Sequence, residues 1–242
     1  MLKLLHGEIY RLLHKKSLYV YFAALAAGYF ILAFIRSGGF KEGTVLSDAM
    51  TLFTLLPALA GGFLFAAIYT DDLNSKNLIS IVGYGVQKVT IIVSKFILMA
   101  LFGTVVFGLV PLYHCAIYTV LGQTVTSDMT AMVCAVSLKY LLTALAFAAL
   151  SGIVVYGLQR TTFALVSYLL LAFGVIGSLV SVALNMYAPS LTEYLMSGLT
   201  NRIFLGMMSG GPLALPLFEY VIYVLIGLAL SAIAFFRKEM EF

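Results

Sequence analysis

The chain has 242 residues, of which 62% are hydrophobic and only 10% charged, with a mean hydropathy of +1.07. A soluble domain is about 45–50% apolar and about 25% charged, so no single water-facing globule hides this much apolar side chain, and lipid is the expected solvent. The formal charge of +4 is scattered over short polar stretches, which fits a basic bias on one membrane face rather than a nucleic-acid surface.

Residues 2–16 read LKLLHGEIYRLLHKK. Leu2, Leu5, Ile9, Leu12 and Leu13 recur at helical spacing, and Lys3, His6, Glu8, Arg11 and Lys15 are assigned to the other side. A basic amphipathic helix ahead of an apolar run is expected to lie in the headgroup plane. A secretory signal is the competing interpretation, but Ala24-Leu25-Ala26 lies inside the following run, not after it.

Six apolar runs follow, near 18–35, 50–69, 96–121, 131–157, 162–186 and 218–236. Each is close to the ~20 residues a helix needs to cross hydrocarbon. Helices satisfy their own backbone groups in lipid, and the alternation of a membrane barrel is absent. The expected fold is all-α: one polytopic transmembrane domain over 1–242, with six transmembrane helices, an N-terminal interfacial helix and a broken helical segment between spans five and six. With both termini on one side, Lys3, Arg11, Lys15, Lys16, Lys76, Lys88, Lys95, Arg160, Arg237 and Lys238 fall together. Arg36, Lys41, Lys139 and Arg202 fall opposite. That asymmetry predicts both termini in the cytoplasm. The stretch from Arg36 to Asp48 is then an external loop, and Gln159, Arg160 and Thr161 make a tight internal turn.

The segment from Tyr187 to Leu217 holds Pro189, Pro212 and Pro216 with Gly198, Gly206 and the Gly210-Gly211 pair. Its apolar pieces are too short to span. The expectation is helix, break, helix, either dipping into the outer leaflet or lying flat on the headgroups.

Few residues point to chemistry on this chain. No glycine-rich loop ends in Lys-Ser or Lys-Thr, and Gly83-Tyr84-Gly85 is a lone pair of glycines with no preceding strand. No His-Glu-x-x-His motif occurs, and His6, His14 and His114 are far apart. His114, inside a span, is expected to be a hydrogen-bonded packing residue. Asp71 and Asp72 are adjacent, so on a helix they point about 100° apart and do not converge. Cys115 and Cys134 both lie in apolar runs and are expected to be buried thiols. The chain is thus expected not to be an enzyme, with no metal site and no cofactor of its own.

Lys139 sits inside the fourth run, where a lysine at mid-bilayer costs ~2.5–3.5 kcal/mol. It either snorkels outward or lines a pathway or outer gate, meeting Glu193 or Glu219. Small residues at Ala144, Ala148 and Gly152, and at Gly174, Gly177 and Ser181, are spaced for close helix contact.

The most informative stretch is the connector from Tyr69 to Phe96, YTDDLNSKNLISIVGYGVQKVTIIVSKF. So polar a segment in so apolar a chain is expected to be a handle for another protein. Ile79, Ile81, Val82 and Tyr84 supply apolar contact. Asp71, Asp72, Lys76 and Lys88 supply rim charges that set register and partner choice.

These features resemble the permease subunits of type-2 ATP-binding-cassette exporters, in particular the small bacterial ones related to bacteriocin-immunity and antimicrobial-peptide exporters. The resemblance covers the full length. In the connector, Asp72 matches the family's acidic residue, Gly85-Val86 its small bend, Lys88 its basic residue and Ser94-Lys95 its approach to span three. Lys76-Asn77 departs from the usual glycine-threonine. The resemblance implies a permease in a bacterial plasma membrane, paired with a second permease copy or paralogue. It implies a separate ATP-binding subunit that carries ATP and Mg and docks on the connector. The cargo would be hydrophobic or amphipathic, a peptide, drug or lipid-like molecule; 15 Tyr and 18 Phe suit such a cargo, and equally suit lipid-facing packing and interface belts. The alternatives are a secondary transporter driven by an ion gradient, and a non-transport membrane scaffold or enzyme subunit.

Overall fold

The computed structural model describes residues 2–40, 44–74 and 81–237. Among them every regular element is helical. In chain order these are α1 (Leu2–Leu13), α2 (Lys16–Arg36), α3 (Val45–Thr70), α4 (Lys88–Val120), α5 (Ser127–Leu158), α6 (Thr161–Ala172), α7 (Val175–Tyr187), α8 (Met196–Ser209) and α9 (Ala214–Arg237). Helices α2, α3, α4, α5 and α9 are each long and apolar enough to cross a membrane, and α6 with α7 makes a sixth span if the bent pair counts as one. This is the architecture of a multi-pass membrane protein.

The helices overrun the apolar runs that predict them. α4 begins at Lys88, well before 96, and so takes Lys95 into its body. α5 begins at Ser127, where the Thr126 hydroxyl accepts a hydrogen bond from the Met129 amide at 3.3 Å, an N-cap that satisfies one of the orphan donors of the first turn. Hydropathy detects only the apolar part of a helix, whereas the backbone ladder continues into polar flanks.

The proline inside α4 is accommodated by a named partner. Pro111 of α4 has no N–H to give the carbonyl four residues earlier, which belongs to Phe107. Ser137 of α5 donates to that carbonyl at 2.5 Å. Pro57 of α3 opens a stretch of π-winding, Pro57–Gly61, and a second such stretch, Ala66–Thr70, comes after one α-helical turn. The buried Tyr168 of α6 donates to the Pro57 carbonyl at 3.0 Å. The same pattern of a tyrosine hydroxyl on a neighbouring helix's carbonyl recurs at Tyr21 to Leu59, Tyr113 to Ala26 and Tyr220 to Leu142. In lipid each such bond satisfies a phenol that would otherwise lie unpaired in hydrocarbon.

α5 lies at the centre and packs on α4, α6, α8 and α9. Its Ala144, Ala148 and Gly152 are buried. A Cβ on Gly152 would lie 2.7 Å from Ser231 Oγ of α9, and one on Gly227 of α9 would lie 3.1 Å from the Ala149 carbonyl carbon. Small residues therefore set the α5–α9 distance. The second small-residue set behaves otherwise. Gly174 adopts φ 74° and breaks the fifth run, so that α6 and α7 meet at 55° within the span expected over 162–186. Nothing lies within 4 Å of a Cβ built on Gly177, and α7 has no buried residue. Among the described residues the Gly174, Gly177 and Ser181 face thus makes no close helix contact.

Between the last two spans the chain forms a 3-10 turn, Pro189–Tyr194, and then α8, which stops at Gly210 in the left-handed region. This is the expected helix, break, helix. Met196, Leu199 and Ile203 of α8 are buried in a cluster with Ala146 of α5 and Tyr220 of α9. The two thiols differ: Cys115 is buried, but Cys134 is exposed on α5. The run around Cys134 is apolar all round, so periodicity did not mark which side faces outward.

Candidate functional site

The polar connector is held at the end of the bundle where the chain starts. Leu12 of α1, Ile91 of α4, Tyr156 of α5 and Phe235 of α9 share one buried cluster there. Lys16 opens α2, Lys88 opens α4, Arg160 caps the start of α6 and Arg237 closes α9, whereas Arg36 closes α2 and Lys139 and Arg202 lie within α5 and α8.

α3 runs on into one further helical turn, Asp71–Asn74. The Asp71 carboxylate forms an ion pair with Lys15, in the link between α1 and α2. Residues 81–83 are helical and end in a Schellman closure: Val86 N–H donates to Ile81 O at 3.3 Å and Gly85 N–H to Val82 O at 2.9 Å. That closure needs a left-handed residue at position 85, where glycine sits at φ 80°. α4 then starts at Lys88. The Lys88 ammonium donates to the Phe235 carbonyl at 2.8 Å and lies 5.0 Å from the Phe235 ring centroid. A cation on one of the last carbonyls of α9 suits both the orphan acceptor and the helix dipole.

Beneath the connector lies a buried ion pair. Lys95 is 1% exposed and Glu8 of α1 is 8% exposed. Their Nζ and Oε2 atoms are 2.9 Å apart, and Arg11 Nη2 contacts the same oxygen at 2.7 Å. This corrects the assignment of Glu8 to the polar side of α1. Glu8 lies three residues after Leu5 and four before Leu12, hence on the inward face with them. The spacing alone signals this, and the lysine carried inside α4 is its natural counter-charge.

Of the connector residues singled out in the sequence, Lys76 and Ile79 and the side chain of Asp72 lie outside the described residues. Ile81, Val82 and Val86 are partly buried against the chain's own core cluster. Tyr84 is 88% exposed, the projecting tip of the closed turn, with Gly83, Gly85 and Gln87 exposed beside it. The described part of the connector therefore presents a tyrosine outward while Ile81, Val82 and Val86 fasten it to the core cluster around Leu12, Ile68 and Ile91.

The three residues assigned to a pathway or outer gate do not converge. Lys139 donates to Asn201 Oδ1 at 3.2 Å, not to either glutamate. Glu219 pairs with Arg202 at 2.5 Å. Glu193 is exposed in the 3-10 turn.

A second polar cluster escaped the sequence. Asp48, expected to end an external loop, lies in α3 and is 2% exposed. Its carboxylate contacts Arg36 Nε at 3.1 Å and accepts from Tyr118 at 2.5 Å. Beside it His114 Nε2 lies 2.8 Å from the Val45 carbonyl and Nδ1 lies 2.6 Å from the Tyr29 hydroxyl. A carbonyl only accepts, so Nε2 carries the proton, and in the neutral ring Nδ1 accepts from Tyr29. His114 is thus a fully bonded packing residue, as the sequence predicts. Asp48 sits one turn from Thr51 and Thr44 in a polar-looking stretch, and nothing in its spacing distinguished it from a loop residue.

No family model matches the chain, and no curated protein matches it.

Proposed function

We propose that this chain is the membrane-spanning permease subunit of an ATP-driven exporter. It would move a hydrophobic or amphipathic cargo out of the cell while a separate subunit binds ATP and Mg. One observation carries this: a closed, glycine-capped turn projects Tyr84 outward while its flanks are tied to the α1–α2 link by Lys15–Asp71, to α9 by Lys88–Phe235 and to α4 by the turn itself. A push on that turn reaches several helices at once. Such leverage is what rigid-body switching between two packings requires.

In this proposal the connector end faces the cytoplasm of a bacterial cell, α1 lies at the membrane surface, and the ATP-binding subunit grips Tyr84. A second permease copy or paralogue pairs with this one in the bilayer. Tyr84→Asp tests it. Because Tyr84 is exposed, the change is expected to leave thermal stability within about 0.5 kcal/mol of wild type. It is expected to abolish co-purification of an ATP-binding subunit in mild detergent and ATP-dependent efflux from vesicles. Unchanged recovery and efflux would sink the proposal.

A further inference from the structure

We infer that Lys139 and Asn201 form a binding site for the anionic group, phosphate or carboxylate, of an amphiphile. The inference stands apart from the exporter proposal, since it concerns α5 and α8 rather than the connector and needs no ATP-binding partner.

Lys139 is on α5 and Asn201 on α8. The Lys139 ammonium gives one hydrogen bond, to the Asn201 amide oxygen at 3.2 Å. It also lies 5.5 Å from the ring centroids of both Tyr140 and Phe204. Two rings at that distance stabilise the cation without neutralising it. Among the described residues no carboxylate lies within ion-pair distance of Lys139. The neighbouring arginine, Arg202, is already matched by Glu219, so the local charge is that of one lysine.

The hydrogen-bonding inventory points the same way. An ammonium has three donors and no acceptor, and only one of its donors is engaged by Asn201. The amide oxygen of Asn201 faces the lysine, which leaves its two N–H donors directed elsewhere. Asn201 is exposed, and among the described residues nothing accepts from that NH2 group. Two adjacent side chains thus offer donors only, from a cation and an amide, on a partly open surface. An oxyanion is the ligand that accepts from both.

The surroundings select an amphiphile over a small ion. Leu138, next to Lys139, and Leu205, one turn from Asn201, are exposed apolar side chains. The body of a bound anion would therefore rest on hydrocarbon-like surface. Bilayer phospholipid and a diffusing anionic amphiphile share this chemistry, and the two sources are separable by experiment.

The test uses the full chain in nanodiscs, as wild type, Lys139→Gln, Lys139→Arg and Asn201→Leu. In one arm, nanodiscs of phosphatidylglycerol are compared with phosphatidylcholine, and retained lipid is counted by native mass spectrometry. In the other, dodecanoate is titrated into phosphatidylcholine nanodiscs by calorimetry. Wild type is expected to retain phosphatidylglycerol preferentially or to bind dodecanoate. Lys139→Gln is expected to lower that binding by about tenfold, as loss of a charge-assisted bond implies. Lys139→Arg retains it, and Asn201→Leu, which keeps the charge, loses part. A response in the lipid arm alone assigns the site to phospholipid, and in the dodecanoate arm alone to a diffusing amphiphile. Equal binding by wild type and Lys139→Gln in both arms overturns the inference.

Discussion

Removing Glu8 is expected to release α1 from the bundle. In Glu8→Ala the Lys95 ammonium, 1% exposed, keeps its burial and loses its carboxylate, and Arg11 beside it adds a like charge. Breaking one side of a buried ion pair costs about 3–5 kcal/mol. At about 1.4 kcal/mol per factor of ten, the opening equilibrium of α1 rises roughly 10²- to 10⁴-fold. Hydrogen exchange of the α1 amides in nanodiscs reads this directly, with α5 amides as the internal reference. Lys95→Met is expected to cost less, because Glu8 keeps Arg11 at the pocket edge. The paired change Glu8→Leu with Lys95→Met is expected to restore protection, since apolar replacements of a buried pair are often neutral or stabilising. If Glu8→Ala leaves α1 protected, or if the paired variant exchanges as fast as the single one, the ion pair is not what holds α1.

Ser137→Ala is expected to lower stability by about 1–3 kcal/mol, because the Phe107 carbonyl opposite Pro111 loses its donor. Pro111→Ala restores a backbone N–H to that carbonyl, so Ser137→Ala should cost clearly less in a Pro111→Ala background. Thermal unfolding of the four species in detergent measures the coupling. Gly61→Ala would place a Cβ 2.3 Å from the Tyr168 hydroxyl oxygen and is expected to cost about 1–3 kcal/mol by overpacking. With Tyr168→Phe the hydroxyl is gone, so the double variant should lose less than the sum of the singles in the same assay. Additive losses would show that the hydroxyl is not the clashing group. Asp48→Ala leaves the buried Tyr118 hydroxyl without its acceptor and is expected to destabilise by about 1–3 kcal/mol, again by thermal unfolding.

The helical architecture was legible because lipid leaves helices as the economical backbone solution for runs of ~20 apolar residues. The turn at Gln159 was legible from its short polar interruption, and the structure places Gln159 at φ 52° as the cap of α5. The break at Gly174 was not, because a glycine in an apolar run serves equally for close packing and for a left-handed kink. Glu8 was misplaced because a charged residue was sorted by polarity, while its face is set by angle. The Asp48, Arg36 and Tyr118 contacts join residues far apart in the chain, and no local pattern carries such information. Lys139 was recognised as unusual, but its partner Asn201 lies in the segment whose path was least determined by sequence.

The crowding of alanine, serine and glycine along α5 makes its tolerance to change lopsided. Where Gly152 meets Ser231 and Ala149 meets Gly227, there is no spare width for a bulkier graft, yet an equally slim polar one fits. A saturation library of this chain should therefore show a stripe that sorts substitutions by volume and is nearly indifferent to hydrophobicity. On the outward flank around Cys134 the ranking should invert.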